Sequence, residues 1–404
     1  MKITVLGAGS IGASIARDLQ QTDDVEAIQV CDARARSLQM LQTTIGGEKL
    51  RSFQVDARDL TVMRSILSGS DCVIVGTAPE HNAALAALCL SLGVPYCDLG
   101  GNDKAVHQVL ALDEQAREAG VWLMPNCGLA PGLVNVLCLH AVERFDEVDA
   151  VQLRVGDVPA IPKPPFNFSI SWSADKVIED YSNASRQIED GEIVERPALS
   201  GLESVSFEPP FDQMEAFNTQ GGLATLTDAL KGRVRTLDHK TIRWPGHAQQ
   251  MRFLLELGFA ERKTIDVRTH LTYRDVLVRR MRQRLSSDQE DVLLMRVLVR
   301  GILSGKKQTI VYQMVERYDE ADQVSAMKNA TSAATSAAAL MLARGEIEGG
   351  GASPAEHVVD KAAYLRHVQE RGLTITETVY DGWRDVHDPS EGDATVQPAE
   401  AITL

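Results

Sequence analysis

The chain has 404 residues, and 41 lysines and arginines stand against 56 aspartates and glutamates, giving a formal charge of −15. At roughly 100–200 residues per domain two domains are expected, and 44% hydrophobic with 24% charged residues excludes wholesale disorder. The acidic balance argues against nucleic acid or an anionic membrane as partner, and no run approaches the roughly 20 apolar residues that cross a bilayer.

In chain order, Lys2–Leu6 reads as an apolar strand running straight from the N-terminus, so no leader peptide is expected. Ile11–Gln20 carries Ile11, Ile15 and Leu19 at helical spacing. Strands at Ala27–Cys31, Arg51–Val55, Cys72–Val75, Val94–Leu99 and Val121–Met124 then alternate with helices at Leu38–Ile45, Val62–Leu67, Ala83–Leu92 and Val106–Ala119. Repeated β-α units of this kind predict an α/β fold, a Rossmann-type doubly wound parallel sheet.

Near Gly132 the pattern changes. Strands are expected at Val151–Val155, Phe166–Trp172 and Ser204–Phe207, and a hairpin at Val292–Ile302 and Gln308–Val315 around a Ser-Gly-Lys turn. Helices are expected at Ala174–Ile188, Leu223–Leu230 and His247–Leu257. This is a second, α+β domain on a mixed, largely antiparallel sheet. Ser325–Arg344 is an Ala-rich helix suited to close packing on a sheet. Residues 388–404 are acidic with little to bury and read as a mobile tail. Six cysteines without a CxxC pair fit reduced thiols in a cytoplasmic setting.

The first strand runs into Gly7-Ala8-Gly9-Ser10-Ile11-Gly12, a glycine loop opening a helix. Gly7 permits the turn, Gly9 lets the backbone reach a pyrophosphate, and Gly12 lets the helix pack close. The N–H groups at Ser10 and Ile11 would face the anion. The alternative is a tight turn with no ligand. Asp32 ends the second strand, where a carboxylate accepts both ribose hydroxyls and repels a 2′-phosphate, favouring NAD over NADP. Arg34 and Arg36 stand close enough to neutralise such a phosphate, or are solvated loop residues. Asp56 meets the adenine edge or caps the next helix.

In such a sheet the ligand lies beyond the carboxyl ends of the strands. Those ends read Thr77-Ala78-Pro79, Asp98-Leu99-Gly100-Gly101-Asn102 and Pro125-Asn126-Cys127-Gly128. Asp98 is an ionisable candidate or a helix N-cap. Cys127 is a second candidate or a small buried hydrophobe. Downstream, Lys240-Thr241-Ile242-Arg243-Trp244-Pro245-Gly246-His247 puts an arginine at a strand end and a histidine at a helix start. An arginine there can hold a carboxylate in a fork, and the histidine can donate or accept a proton; the bland alternative is a surface arginine and an N-cap histidine. Glu215–Gly222 reads as a polar turn broken by glycines, and the basic run Arg279, Arg280, Arg282 and Arg284 as a solvated helix face.

These strings resemble the saccharopine dehydrogenase family. The resemblance runs to about residue 380 and rests on GAGSIG, DLGGN (98–102), PNCGLAPGLVN (125–135), SWSADKVIEDY (171–181), EAFNTQGGLATL (215–226) and KTIRWPGH (240–247). Within the family the likeness is to the lysine 6-dehydrogenases. One departure is Asn126, where the family is expected to carry an aspartate. The resemblance implies a discontinuous NAD-binding domain, 1–130 plus about 325–385, around a substrate domain at 131–324.

It also implies an NAD(P)-dependent oxidoreductase acting on CH–NH2 groups of a small amino acid. The reaction would be NAD-dependent oxidative deamination of the ε-amine of L-lysine to the 6-semialdehyde, which cyclises to a piperideine carboxylate as ammonia leaves. Asp98, Cys127 and His247 would then be catalytic. Arg243 would hold the α-carboxylate, Glu215 the α-ammonium, and Asn102 would also face the substrate. Gly7, Gly9, Ser10, Ile11, Gly12, Asp32, Asp56, Thr77, Ala78 and Pro79 would hold NAD. No metal is expected, and a homo-oligomer, dimer or tetramer, is. Two other readings are a reductive amine–aldehyde coupling enzyme of the saccharopine or carboxynorspermidine dehydrogenase type, and a non-catalytic dinucleotide sensor.

Overall fold

A computed structural model describes residues 1–170, 173–223, 225–285, 290–387 and 402–403. The described strands, in chain order, are β1 (Lys2–Leu6), β2 (Ala27–Asp32), β3 (Leu50–Gln54), β4 (Cys72–Val75), β5 (Tyr96–Asp98), β6 (Trp122–Met124), β7 (Glu147–Pro159), β8 (Ser185–Glu189), β9 (Glu192–Arg196), β10 (Glu203–Val205), β11 (Met214–Asn218), β12 (Val234–Arg243), β13 (Asp291–Leu303), β14 (Lys306–Arg317), β15 (Gly351–Ala352), β16 (Thr376–Asp381) and β17 (Ile402–Thr403). They fall into two compact units. Unit 1 is Met1–His140 with Lys328–Leu373, and unit 2 is Ala141–Met327 with Thr374–Leu404.

Unit 1 is a seven-stranded sheet in the order β15-β6-β5-β4-β1-β2-β3, parallel throughout. Strand β4 is buried at all four positions, as a strand covered on both faces must be. The helix Ser10–Gln20 buries Gly12, Ile15, Ala16 and Leu19, one stripe at helical spacing. The Ala-rich helix Ala326–Ala343 buries alanines along most of its length. Thr335 Oγ1 donates to the Cys127 carbonyl (3.0 Å), which is open to close approach because the side chains there are small.

Unit 2 is a ten-stranded sheet, β10-β11-β12-β7-β13-β14-β16-β17, with β8 and β9 joined through β12. Only β12 with β7 is parallel; the other pairings are antiparallel. Ser304 and Gly305, both at positive φ, close the β13–β14 hairpin. This geometry matches the twist of paired strands.

Several expectations need correction. The helix expected at Val106–Ala119 is two, Asp103–Leu110 and Asp113–Ala119. The helix expected at Ala174–Ile188 stops at Asp180, and β8 follows. The signal is Asp190-Gly191, both at positive φ, a two-residue hairpin turn that forces strands on either side. Phe166 and Asn167 have φ of +70° and +49°, which no strand adopts; Ser171 and Trp172 lie outside the described residues. The polar turn expected from Glu215 is strand β11. The nucleotide domain was expected to extend to about 385, but the chain leaves unit 1 at Leu373 because β16 pairs with β14. The tail expected at 388–404 lies outside the described residues except Ile402 and Thr403, which pair with β16. Among the described residues no helix is long and apolar enough to cross a membrane.

Candidate functional site

In unit 1 a cavity of about 380 Å³ opens at the carboxyl ends of the central strands, lined by Gly7, Gly9, Asp32, Arg34, Asp56, Thr77, Ala78 and His81, among others. The three glycines have different jobs. A Cβ on Gly7 (φ +108°) would meet the Gly76 carbonyl at 2.8 Å, and one on Gly12 the Gly7 carbonyl at 1.9 Å. A Cβ on Gly9 would meet nothing within 4 Å, so this glycine borders open space. No side chain caps the helix that starts at Ser10. Its first N–H groups, at Ser10 and Ile11, therefore present positive potential beside the cavity.

Asp32 is 8% exposed and Arg34 72%. Asp32 Oδ2 accepts the Ala8 N–H (2.9 Å) and Oδ1 accepts the Arg34 N–H (2.8 Å). The carboxylate thus braces the glycine loop, while lone pairs remain for further donors. Asp56 accepts the Arg58 guanidinium through both oxygens, and this holds its carboxyl down to about 2. The cap of the following helix is Asp59, not Asp56. Pro79 packs on Gly101 instead of lining the cavity. His81 lines the cavity and went unnoticed in the sequence, because a single histidine after a strand carries no spacing signal.

Asp98 is buried at the end of β5. Tyr96 Oη donates to its Oδ2 (2.6 Å), and the N–H groups of Gly100 (2.7 Å) and Asn126 (3.1 Å) donate to its Oδ1. Burial pushes its carboxyl up. These bonds make Asp98 an anchor for two loops rather than an exposed base. Asn102, not Asp98, caps the helix Asp103–Leu110: its Oδ1 accepts the Ala105 N–H at 2.9 Å. Cys127 is fully buried, its Sγ lies 3.3 Å from the Met124 carbonyl, and burial pushes its thiol up. A thiol in that state is inert. All six cysteines are buried and outside any disulfide.

Asn126 is fully buried at φ +63°, and neither polar atom of its side chain has a partner among the described residues. Thr77 Oγ1 is likewise buried without one. Unpaired buried groups each cost about 1–3 kcal/mol and mark places where a partner is expected.

In unit 2, Arg243 ends β12 and His247 begins the helix His247–Glu256. Both are buried. Arg243 donates from Nε to Tyr181 Oη (3.0 Å) and from Nη1 to the carbonyls of Ile242 (2.8 Å) and Asp157 (3.3 Å), and its guanidinium lies 4.8 Å over the Phe168 ring. His247 has Nδ1 3.0 Å from the Phe166 carbonyl and Nε2 3.1 Å from Tyr181 Oη. Burial and then the Arg243 charge push its pKa down to about 3, so the ring is neutral near pH 7. Glu215 faces Arg243 in register across β11 and β12. Its oxygens accept the N–H groups of Gly246 (2.8 Å) and Ala248 (2.6 Å). It therefore caps the helix, while lone pairs remain for a further donor. Tyr181 went unnoticed in the sequence; its only signal is its place at the end of SWSADKVIEDY.

The model of the saccharopine dehydrogenase NADP binding domain matches residues 3–124, and that of the saccharopine dehydrogenase C-terminal domain matches residues 128–373. This chain belongs to the saccharopine dehydrogenase family. It is 24% identical over 218 residues to carboxyaminopropylagmatine dehydrogenase of Synechocystis sp., covering 51% of this chain and 53% of that one. It is 26% identical over 175 residues to carboxynorspermidine synthase of Vibrio alginolyticus, covering 38% and 42%. These aligned stretches thus span about half or less of the relatives' length.

Among solved structures, apo saccharopine dehydrogenase (L-Glu forming) from Saccharomyces cerevisiae shares the fold with a TM-score of 0.77 at 16% identity, covering 94% of this chain and 99% of that one. Homospermidine synthase from Legionella pneumophila, solved in complex with NAD, gives 0.69 at 16% identity, covering 98% and 95%. The residues of unit 1 fit a nicotinamide dinucleotide. The open side of Gly9 and the uncapped helix suit a pyrophosphate, and Asp32 a ribose. The unpartnered amide of Asn126 and hydroxyl of Thr77 suit a carboxamide. Among the described residues no group of three or more His, Cys, Asp or Glu is placed to hold a metal ion.

Proposed function

We propose that this chain is an NAD-dependent amine dehydrogenase that oxidises the ε-amine of L-lysine to the 6-semialdehyde and releases ammonia. The observation that carries the reading is Arg243, a buried guanidinium held over an aromatic ring beside a neutral histidine. The planar fork of a guanidinium in such surroundings matches an α-carboxylate. Relatives named carboxyaminopropylagmatine dehydrogenase and saccharopine dehydrogenase support the same class.

Gly7, Gly9 and Gly12, with the N–H groups of Ser10 and Ile11, would cradle the pyrophosphate, and Asp32 would select NAD over NADP. Bound NAD supplies the hydride acceptor. The chain's own work is orientation and desolvation. A lysine side-chain amine has pKa near 10.4 and must lose a proton, to solvent water, before its carbon yields hydride and the nitrogen lone pair closes the C=N bond of the imine. The apolar ring wall of Phe168, Phe217 and Tyr181 around His247 disfavours the ammonium form. Water then adds to the imine carbon, the C–N bond breaks, and the nitrogen leaves as ammonia. His247 orients the site as a neutral donor–acceptor, Asp98 holds the loops at the nicotinamide end, and Cys127 fills the space beneath them.

The same reading takes the protein as cytoplasmic, in line with six thiols outside any disulfide, and as a dimer or tetramer, which sedimentation would check. The test of function is NAD(P) reduction across amino acids and diamines with ammonia assayed in parallel. L-lysine with NAD should give equal NADH and ammonia. A second reading, reductive joining of an amine to an aldehyde, is favoured by the likeness to carboxynorspermidine synthase. NAD(P)H oxidation that needs both an aldehyde and an amine, with no ammonia formed from lysine, would select it.

A further inference from the structure

The hydrogen-bond chain behind Arg243 admits one arrangement of protons. The Phe166 carbonyl can only accept, so His247 carries its ring proton on Nδ1 (3.0 Å). The imidazole is neutral, so Nε2 holds a lone pair, and Tyr181 Oη must donate to it (3.1 Å). The phenol oxygen then has only lone pairs to offer Arg243, and it accepts the Nε–H at 3.0 Å.

We infer that Tyr181 is a positioning residue: it fixes the tautomer of His247 and the orientation of the Arg243 guanidinium, so that carboxylate binding depends on a hydroxyl buried behind the arginine. With Nε tied to Tyr181 and Nη1 to the carbonyls of Ile242 and Asp157, the guanidinium plane cannot turn on its stem. Tyr181 itself is fixed as the C-cap of the helix Ala174–Asp180, and its ring meets those of His247 and Phe217 edge-on at 5.6 Å. The carbonyl at the far end of the chain comes from a strained position. Phe166 sits at φ +70°, a region that bulky residues seldom adopt, and its N–H is held by Gln250 Oε1 (3.0 Å). The fold tolerates that strain where it aims a carbonyl at His247.

This inference rests on the reading of Arg243 as the carboxylate holder, and the experiment separates the two. Tyr181→Phe keeps the ring and removes the hydroxyl. In the full-length chain its KM and calorimetric Kd for L-lysine should rise roughly 10- to 100-fold, the range expected when a hydrogen bond to a charged group is lost. Its kcat and its affinity for NAD should stay near wild type, and binding of 1,5-diaminopentane, which lacks the carboxylate, should not change. Unchanged lysine binding in Tyr181→Phe, with a large loss in Arg243→Ala, overturns the inference and leaves the reading standing. Unchanged binding in both variants overturns the reading itself. Equal losses for lysine and diaminopentane reduce Tyr181 to a packing residue and overturn the inference. Nitrogen-15 histidine spectra of the wild type need no variant: they should show His247 protonated on Nδ1, and the Nε2–H tautomer would overturn the inference directly.

Discussion

Unit 1 keeps its sheet interior largely apolar. Strand β4 is buried along its length, and polar groups gather at and just beyond the strand ends, at Asp32, Thr77, Asp98 and Asn126. Unit 2 does the reverse and buries charge within the strands. Arg154 in mid-β7 is fully buried between Glu203 and Asp238, and Lys240 joins the same carboxylates. Asp291 at the start of β13 accepts from Ser325 Oγ and from the N–H groups of Ala326 and Met327. In one unit the polar groups are hung on a finished framework; in the other they belong to the network that holds the sheet. Substitutions at buried charges within the strands of unit 2 should therefore cost more stability than substitutions at the polar strand ends of unit 1.

The largest effect is expected at Arg154. Its removal leaves Glu203 and Asp238 with Lys240 alone and empties a fully buried position in mid-strand, and Arg154→Ala should cost about 3–5 kcal/mol in denaturant unfolding. A loss below about 1 kcal/mol would mean that solvent screens the pair and would blur the contrast between units. Next comes Arg243, where loss of a charge-assisted pair of about 2–5 kcal/mol predicts a fall in kcat/KM of roughly 30- to several-thousand-fold. Arg243→Lys should fail nearly as badly as Arg243→Ala, because an ammonium cannot make the fork. Wild-type turnover in both variants would remove Arg243 from the site.

A pH series separates the units further. His239 and His247, both in unit 2, are held neutral by burial, with pKa values near 4 and 3, against about 6.5 in an unfolded chain. The unfolded chain binds these protons first. Stability from these groups is therefore complete above pH 6.5 and falls as pH drops toward 4, by up to about 1.4 kcal/mol per unit for each. Asp180, pushed up to about 6 by burial, opposes this slope, so urea melts from pH 7.5 to 4.5 should read it as the difference between wild type and His239→Gln or His247→Gln, each of which should lose less stability toward low pH. Replacing Asp32 should change cofactor choice as well as unbrace the glycine loop: Asp32→Ala should weaken NAD roughly tenfold and NADP by less. Steady-state kinetics with both cofactors would show it, and a preference for NADP in the wild type would refute it. The smallest effect compares two helix caps, Glu215→Ala in unit 2 and Asn102→Ala in unit 1. Each should cost about 1 kcal/mol in thermal melts.

The sequence was easiest to read where one pattern decides one structure. The glycine loop, the alternation of strands and helices and the small-residue helix follow from period and sterics alone. It was harder where a residue's role depends on a distant partner. Glu215 sits in a polar, glycine-broken run that looks like a turn, because its partners, Gly246 and Ala248, lie some thirty residues away. Asp98 looks like a base or a cap until Tyr96, Gly100 and Asn126 are seen around it. Arg243 and His247 stand out through their turn, but Tyr181, which joins them, is marked only by its place at the end of SWSADKVIEDY, since its meaning lies in a contact across 62 positions.

The division of unit 1 between two stretches of chain has a consequence for its birth on the ribosome. Strands β1 to β6 emerge first, yet β15, which covers the outer edge of β6, follows only after roughly 230 more residues, or about 10–45 s at ordinary synthesis rates. For that interval β6 presents an unpaired edge, the kind of template that recruits other strands. A nascent chain stalled within unit 2 would therefore be more exposed to aggregation than one stalled past Ala352. Expression yield should depend on how quickly the middle of the message is translated.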